Sequence, residues 1–415
     1  MRNIVLITLD SLRADHCSFM GYHRETTPTI DKMAKRGLYF ENAIASSVPT
    51  GPSMFGVFTG DYCPIASDDF SGKTWREEFK RRKTLAEVLS QMGYDTGAFH
   101  ANPYVSSFFG FIKGFKYFND FVRENEIKTL TTDSKINAFL VSVRRLLKKE
   151  GTNIPWEKYY DRILRWVERA NCPYFLWVLL LDTHTPYLPP KEYKKWCKVS
   201  NWQLIYLFWK IQRRNWKCGD KKEIEKIKDA YDDVIHYADE FIQKLWQDLK
   251  DDDPIFIIHA DHGDGFGEHG FYRHPPLLYE EFIHVPLVIY NADIRGKVER
   301  PVSLLGMAPT ILELIGKENI FPFESLLREG KGWVISKVFE NGKRKIAVRL
   351  KDWKFITGQK NEEELYNLKN DPYEQENLVK AYPKLAEEMK KIVKNYIKHE
   401  IEKRKVRKVI QHLNV

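Results

Sequence analysis

No stretch of this sequence approaches the roughly 18 consecutive apolar residues that a membrane-spanning helix needs, so it contains no recognisable membrane span. Cysteine is scarce: five occur in 415 residues, at Cys17, Cys63, Cys172, Cys197 and Cys218. Their number is odd and no CxxC pair occurs, which excludes zinc-finger spacings and a disulfide framework and leaves buried free thiols. The first residues, MRNIVLITLDS, lack the apolar core and small-residue cleavage site of a secretion signal. They read instead as a first strand, and with the free thiols they make a cytoplasmic location the expectation. Acidic residues fall short of basic ones, 57 against 66, giving a net charge of +9. The excess gathers in three places, Arg144 to Lys149, Lys210 to Lys217 and Lys390 to Lys408. The last alternates Lys with Glu and Ile as a solvated amphipathic helix does. Neither a nucleic-acid module nor one concentrated basic face is present, so nucleic-acid partners are not expected. A field attracting anionic substrates accounts for the charge.

What is present is a globular composition, 43% apolar and 30% charged, in a chain long enough for one large domain and an appendage. Apolar runs at 3–9, 174–181, 255–260 and 285–290 read as buried strands, with further strands into Ala43 and at 94–100. Helical patterns after Pro28 and at 52–58, 84–92, 125–149, 156–170 and 224–249 separate them. Strands alternating with helices give an α/β fold, a mostly parallel sheet covered on both faces. From about Lys331 the pattern changes to short strands, IAVRLKDWKFITG among them, and a terminal helix at 382–405. The expected division is a catalytic domain over 1–330 and a C-terminal α+β subdomain with a short antiparallel sheet over 331–415. The segment 191–222, dense in Trp, Tyr and Lys, has no clean period and is expected to cap the site.

Three of the apolar runs end on potential ligands: Asp10 after IVLITL, Asp182 after YFLWVLLL, and Asp261 with His262 after IFIIHA. A buried strand delivers its last side chain to the rim of the sheet, where ligands of open α/β folds bind. Asp261 and His262 are adjacent, so both reach one ion only if the strand ends there; the glycines at 263, 265, 267 and 270 allow that turn. Carboxylates with an imidazole suit Zn, Mn or Mg without choosing among them. Thr50 precedes Gly51-Pro52-Ser53 at an expected helix start, where unpaired N–H groups face an anion. Its hydroxyl is a nucleophile only if a metal or base lowers its pKa. The simpler alternatives are that Thr50 caps its helix and that Asp10 caps one beginning at Ser11. His184, in DTHTPYLPP, is placed as general acid, and His274 as a hydrogen-bond donor to a non-bridging oxygen. His269 and His284 are placed behind them, while Glu280 and Glu281 cap, orient a partner or face solvent.

The motifs LDSLRADHCSFMGYHRETTPTIDKMAKRG, VPTGPSMFGVFTG, DTHTPYLPP, DHGDGFGEHG, LYEEFIHVPLVIY, SLLGMAPTILEL and ELYNLKNDPYEQENL stand in the order seen in sulfatases. Over about residues 2 to 380 the chain resembles that family of the alkaline phosphatase superfamily. The resemblance implies a three-layer α/β sandwich and hydrolysis or transfer of sulfate or phosphate esters through a covalent intermediate on a metal-bound nucleophile. Asp10, Asp261 and His262 match family metal ligands, His184 the histidine near the leaving group, and His274 stands where a lysine usually touches the sulfate. Ser11 replaces the usual second carboxylate. The largest departure is Thr50-Gly51-Pro52-Ser53-Met54 in place of C/S-x-P-x-R, whose Cys or Ser matures to formylglycine. Threonine is not matured in that way, and it resembles the nucleophile of phosphodiesterases and phosphoglycerol transferases of the superfamily.

The expectation is therefore a metal-dependent hydrolase or transferase of phosphoesters, a phosphodiester or phosphonate ester, acting through Thr50. One divalent cation (Mn, Zn, Mg or Ca) sits on Asp10, Thr50, Asp261 and His262; Asp182, His184 and His274 leave a second ion open. A sulfatase without formylglycine and a non-catalytic binding protein are the alternatives. The substrate is a small-molecule, lipid or sugar ester. Trp209 and Trp216, flanking Arg213 and Arg214, are expected either to fold over the metal and select the leaving group or to form a contact between copies of the chain.

Overall fold

The structure, a computed structural model, describes residues 1–122, 154–215, 217, 219–359 and 362–413. The expected helix at 125–149 lies outside them. At the centre is the strand Ile4–Leu9, six apolar residues buried on both faces. It runs parallel to Tyr174–Leu180 on one side and to Ile255–Ala260 on the other. These belong to an eight-stranded sheet in the order Gly296–Val298, Leu38–Phe40, Leu287–Tyr290, Ile255–Ala260, Ile4–Leu9, Tyr174–Leu180, Asp95–His100, Tyr117–Asn119. All neighbours are parallel except Leu287–Tyr290, which is antiparallel to both of its own. The chain is thus an α/β protein with a large, mostly parallel sheet and a separate small antiparallel one.

Register is what positions the site. Leu9 lies opposite Leu180 and Ala260, and His100 opposite Leu179. Four neighbouring strands therefore stop at one rim, and the residues that follow them emerge together.

The strand expected over 285–290 is two. His284–Val285 pairs with Ala43–Ile44 and Leu287–Tyr290 joins the main sheet. Pro286 has no N–H for a ladder, yet its carbonyl still accepts from Ala260 N at 3.3 Å. The segment expected to be aperiodic contains a regular helix, Asn201–Arg213, opened by a capping box between Ser200 and Gln203. Its period is hidden because both faces carry large apolar residues.

The four-stranded antiparallel sheet comprises Val334–Glu340, Lys343–Arg349, Trp353–Thr357 and Glu363–Asn367. The helix Pro383–Leu413 lays Ala386, Met389 and Val393, at helical spacing, against Ile346, Val348 and Phe355. Val338, Ala347 and Ile356 on the same sheet belong to the main core, so the C-terminal region packs onto the large sheet's layers. Among the described residues no helix is long and apolar enough to cross a membrane.

Candidate active site

Asp10 and Asp261 leave adjacent strand ends, and His262 follows. One ligand atom from each lies within 4.8 Å of the others, the one such cluster among the described residues, and all three side chains are buried. The turn after the strand is held by backbone. Ser11 has φ +62°, an uncommon region for serine, and from there its N–H donates to Asp261 Oδ1 at 3.0 Å. His262 N donates to the same oxygen at 2.9 Å. A Cβ at Gly263 would stand 2.1 Å from the Glu281 carbonyl oxygen, so this close approach requires glycine. No helix starts at Ser11, which disposes of the capping role for Asp10; Ser11 Oγ donates to Asp10 Oδ1 at 2.9 Å instead.

Thr50 is the first residue of the helix Thr50–Thr59, whose N-cap, Pro49, offers no side-chain cap. The hydroxyl points back to the rim, 3.4 Å from Asp10 Oδ2 and 3.2 Å from His262 Nε2. Ser53, one turn on, donates to the Asp261 carbonyl at 2.7 Å and ties the helix to the strand end.

Two observations say what the cluster can hold. His262 Nδ1 donates to the Gly263 carbonyl at 2.8 Å, which leaves the lone pair on Nε2, facing Thr50. Asp261 Oδ2 is buried with no hydrogen-bond partner. Burial, then the charge of Asp261, pushes Asp10 up to about 7; burial pushes Asp261 up to about 6 despite the N–H groups of Ser11 and His262 on its Oδ1. Two buried carboxylates with an orphaned oxygen and a presented imidazole lone pair fit a divalent cation.

The two catalytic histidines expected from sequence come to the same place. The His274 ring centroid is 4.5 Å from that of His262 and 5.3 Å from that of His184. His184 Nδ1 donates to the Thr185 carbonyl at 2.7 Å, and His274 Nδ1 faces Asp264 Oδ1 at 3.2 Å. Burial and neighbouring cations hold both imidazoles below their ordinary pKa, His184 well below. Asp182 is not part of this group: burial and Glu157 push it up to about 7, and no second cluster forms around it among the described residues.

Three residues were not singled out from sequence. Asn102 follows the strand Asp95–His100 and donates to Asp10 Oδ2 at 2.5 Å; its strand ends on a weaker apolar pattern than the other three. Asp264 accepts from Thr185 Oγ1 at 3.0 Å and from Tyr187, besides His274, so it joins both histidine-bearing loops. Its position two residues past His262 was the available signal. Arg273, at φ +64°, contributes positive charge at His184, His274 and Tyr104. Arg13, three residues past Asp10, is paired with Asp15 at 2.7 Å and Glu268 at 2.8 Å. His269 and His284 hold Glu281 and the Glu41 carbonyl respectively, at 2.6 and 2.8 Å.

The helix Asn201–Arg213 buttresses this wall from outside. Phe208 packs on Tyr187 with centroids 5.6 Å apart, while Trp202 and Tyr206 face solvent. Trp209 stacks on Tyr206 and lies under Arg213, on the helix face opposite the buried Leu204, Leu207, Phe208 and Ile211. Trp216 lies outside the described residues.

Residues 2–317 match the Sulfatase family. The arylsulfatase of Clostridium perfringens is 25% identical, over 94% of this chain and 93% of that one. A sulfatase of Formosa agariphila is 24% identical, over 90% and 82%. Among solved structures, the phosphonate monoester hydrolase of Agrobacterium radiobacter superposes with a TM-score of 0.70 at 17% identity, covering 96% of both chains. A structure solved in complex with D-glucosamine-2-N,6-O-disulfate gives 0.72 at 17%, covering 96% and 97%. Those two likenesses are likenesses of fold. With its ordered motifs and its match over most of its length, this chain belongs to the sulfatase family of hydrolases.

Proposed function

We propose that the chain cleaves or transfers phosphoesters, a phosphodiester or phosphonate ester, through a covalent adduct on Thr50, with one divalent cation held by Asp10, Asp261, His262 and Thr50 Oγ1. The observation that carries this is the Thr50 hydroxyl, which stands between Asp10 and His262 at the first turn of a helix with no side-chain cap. A cation there would supply a lowered hydroxyl pKa and offset charge on the transferring group. Thr50 Oγ1 forms the new bond to phosphorus as the bond to the departing oxygen breaks, and its proton passes to Asp10 Oδ2, the carboxylate oxygen it faces at 3.4 Å. His184 donates a proton to the departing oxygen. Its Nδ1–H is committed to a carbonyl, so Nε2 is the atom that loads and delivers that proton. An anionic substrate beside it opposes the burial that keeps it neutral. His274, oriented by Asp264, hydrogen-bonds a non-bridging oxygen, and Arg273 adds charge to the same side. Asn102 fixes the Asp10 carboxylate. Water, or an acceptor alcohol in a transfer, resolves the adduct. The four described cysteines, all free, support a cytoplasmic setting for it.

A second reading, hydrolysis of sulfate esters, is favoured by the names of the curated relatives. Mixing the metal-loaded protein with a slow diester, followed by peptide mass spectrometry, separates the two: a phosphoryl mass on unmodified Thr50 is expected. Turnover of aryl sulfates alone, with no such mass, would give the second reading the field.

A further inference from the structure

The helix Asn201–Arg213 carries large apolar residues on two opposite faces, a pattern of a helix covered on both sides. Its inner face is covered: Leu204, Leu207, Phe208 and Ile211 are buried. Its outer face carries Trp202, Tyr206, Trp209 and Arg213, at steps of four, three and four residues, which is a straight stripe opposite the buried one. Trp202 is 61% and Tyr206 63% exposed. Large aromatic side chains left open side by side mark an interaction surface.

The charge around the stripe says what the partner is. Between Lys191 and Lys217 the chain has eight Lys or Arg residues and a single acidic one, Glu192. That stretch holds most of the net charge of the whole protein, and four of its 11 tryptophans. Lys194, Lys195 and Lys198 precede the helix and Arg213 and Lys217 end it, while Lys210 is paired with Glu223 at 2.6 Å, so basic residues bracket the aromatic stripe at both ends. A second copy of the chain would bring like charge against like charge. A single-stranded nucleic acid or anionic glycan is bound in a groove, where bases or sugars stack between walls; ring faces this exposed have no wall beside them. A convex helix with Trp and Tyr outward and Lys and Arg around them matches an amphipathic element lying in the headgroup layer of an anionic bilayer. We infer that this face docks the protein on anionic membrane surfaces. The stretch then passes to Lys217, which bridges to Phe271, two residues before Arg273, so docking would bring the mouth of the active site close to the lipid.

The test is vesicle flotation of the full chain with phosphatidylcholine vesicles and with vesicles containing about a third phosphatidylglycerol, in wild type and in a Trp202→Ser/Tyr206→Ser/Trp209→Ser variant. All three positions lie on the outer helix face, and a Lys194→Ser/Lys198→Ser/Arg213→Ser variant provides a second, charge-only arm. The wild type should float with the anionic vesicles only, at least tenfold more than with neutral ones, and lose this at high salt. Both variants should lose at least tenfold of the binding while cleaving a soluble chromogenic ester at the wild-type rate. Equal flotation of wild type and variants would overturn the proposal. So would no flotation of the wild type, self-association that the aromatic variant abolishes, or binding to heparin or RNA in place of vesicles.

Discussion

Two buried clusters of carboxylates in this molecule are built on opposite rules. At the junction with the C-terminal sheet, Glu280 and Glu374 surround Lys354, at 3.1 and 2.7 Å, and Glu280 also meets Arg349 at 3.2 Å. Burial there works against the charge on both carboxyls: Arg349 and Lys354 outweigh it at Glu280 and hold that carboxyl at about 2, while Glu374, with Lys354 alone, is pushed up to about 7. At the rim of the main sheet, Asp10 and Asp261 lie together beside imidazoles, with no ion pair to a guanidinium or ammonium among the described residues, and both are pushed up. The first cluster carries two cations for its two carboxylates and ties the helix Glu280–Ile283 to the C-terminal sheet. The second lacks its counter-charge. A fold keeps such a pair only where something else supplies the charge, and that contrast is the physical case for a cation site.

Removing the nucleophile should give the largest effect. Thr50→Ala is expected to lower kcat by a thousandfold or more, since the adduct cannot form; steady-state rates on an activated diester check it, and near wild-type turnover would reject the role of Thr50. Next, breaking the charge-balanced cluster should damage the fold. Lys354→Ala leaves Glu374 buried without its cation and Glu280 with Arg349 alone, and should cost about 3–5 kcal/mol in urea unfolding. Asp261→Asn should behave in the opposite way, leaving the metal-free protein as stable as wild type or more so, because it relieves repulsion with Asp10. Equal destabilisation by both would erase the contrast.

The pH dependence sharpens the same comparison. Asp10 and Asp261 have folded pKa values raised above their unfolded ones, so between about pH 4 and 7 the folded state binds more protons. Stability from this pair is therefore greatest at the acid end of that window and falls as pH rises through it in metal-free protein. A bound cation must displace those protons, so its stabilising increment should grow over the same range. Thermal melts with chelator and with added Mn should diverge as pH rises. The smallest effect is expected at Asp264→Asn, which loosens His274 and should alter the pH profile of kcat/KM while changing stability little.

Much of this was legible in the sequence because buried parallel strands announce themselves. IVLITL, YFLWVLL and IFIIHA each end on the rim, and equal register carries Asp10 and Asp261 to one point. Thr50, His184 and His274 followed from motif positions. Asn102 was missed because DTGAFH is a weakly apolar strand, and Asp264 because a loop carboxylate gives no sign of which hydroxyls it will gather. The helix Asn201–Arg213 was hidden by apolar residues on both faces, the very property that sets its outer stripe apart. The pairing of Arg13 with Asp15 and Glu268 is a tertiary fact that spacing does not encode.

The central claim is that the incomplete cluster is completed by a cation. Isothermal titration of chelator-treated protein with Mn, in wild type and in Asp261→Asn, tests it most directly. The account predicts one equivalent bound by wild type at neutral pH, with proton release, and at least tenfold weaker binding by the variant. No binding by wild type, or equal binding by both, would contradict it.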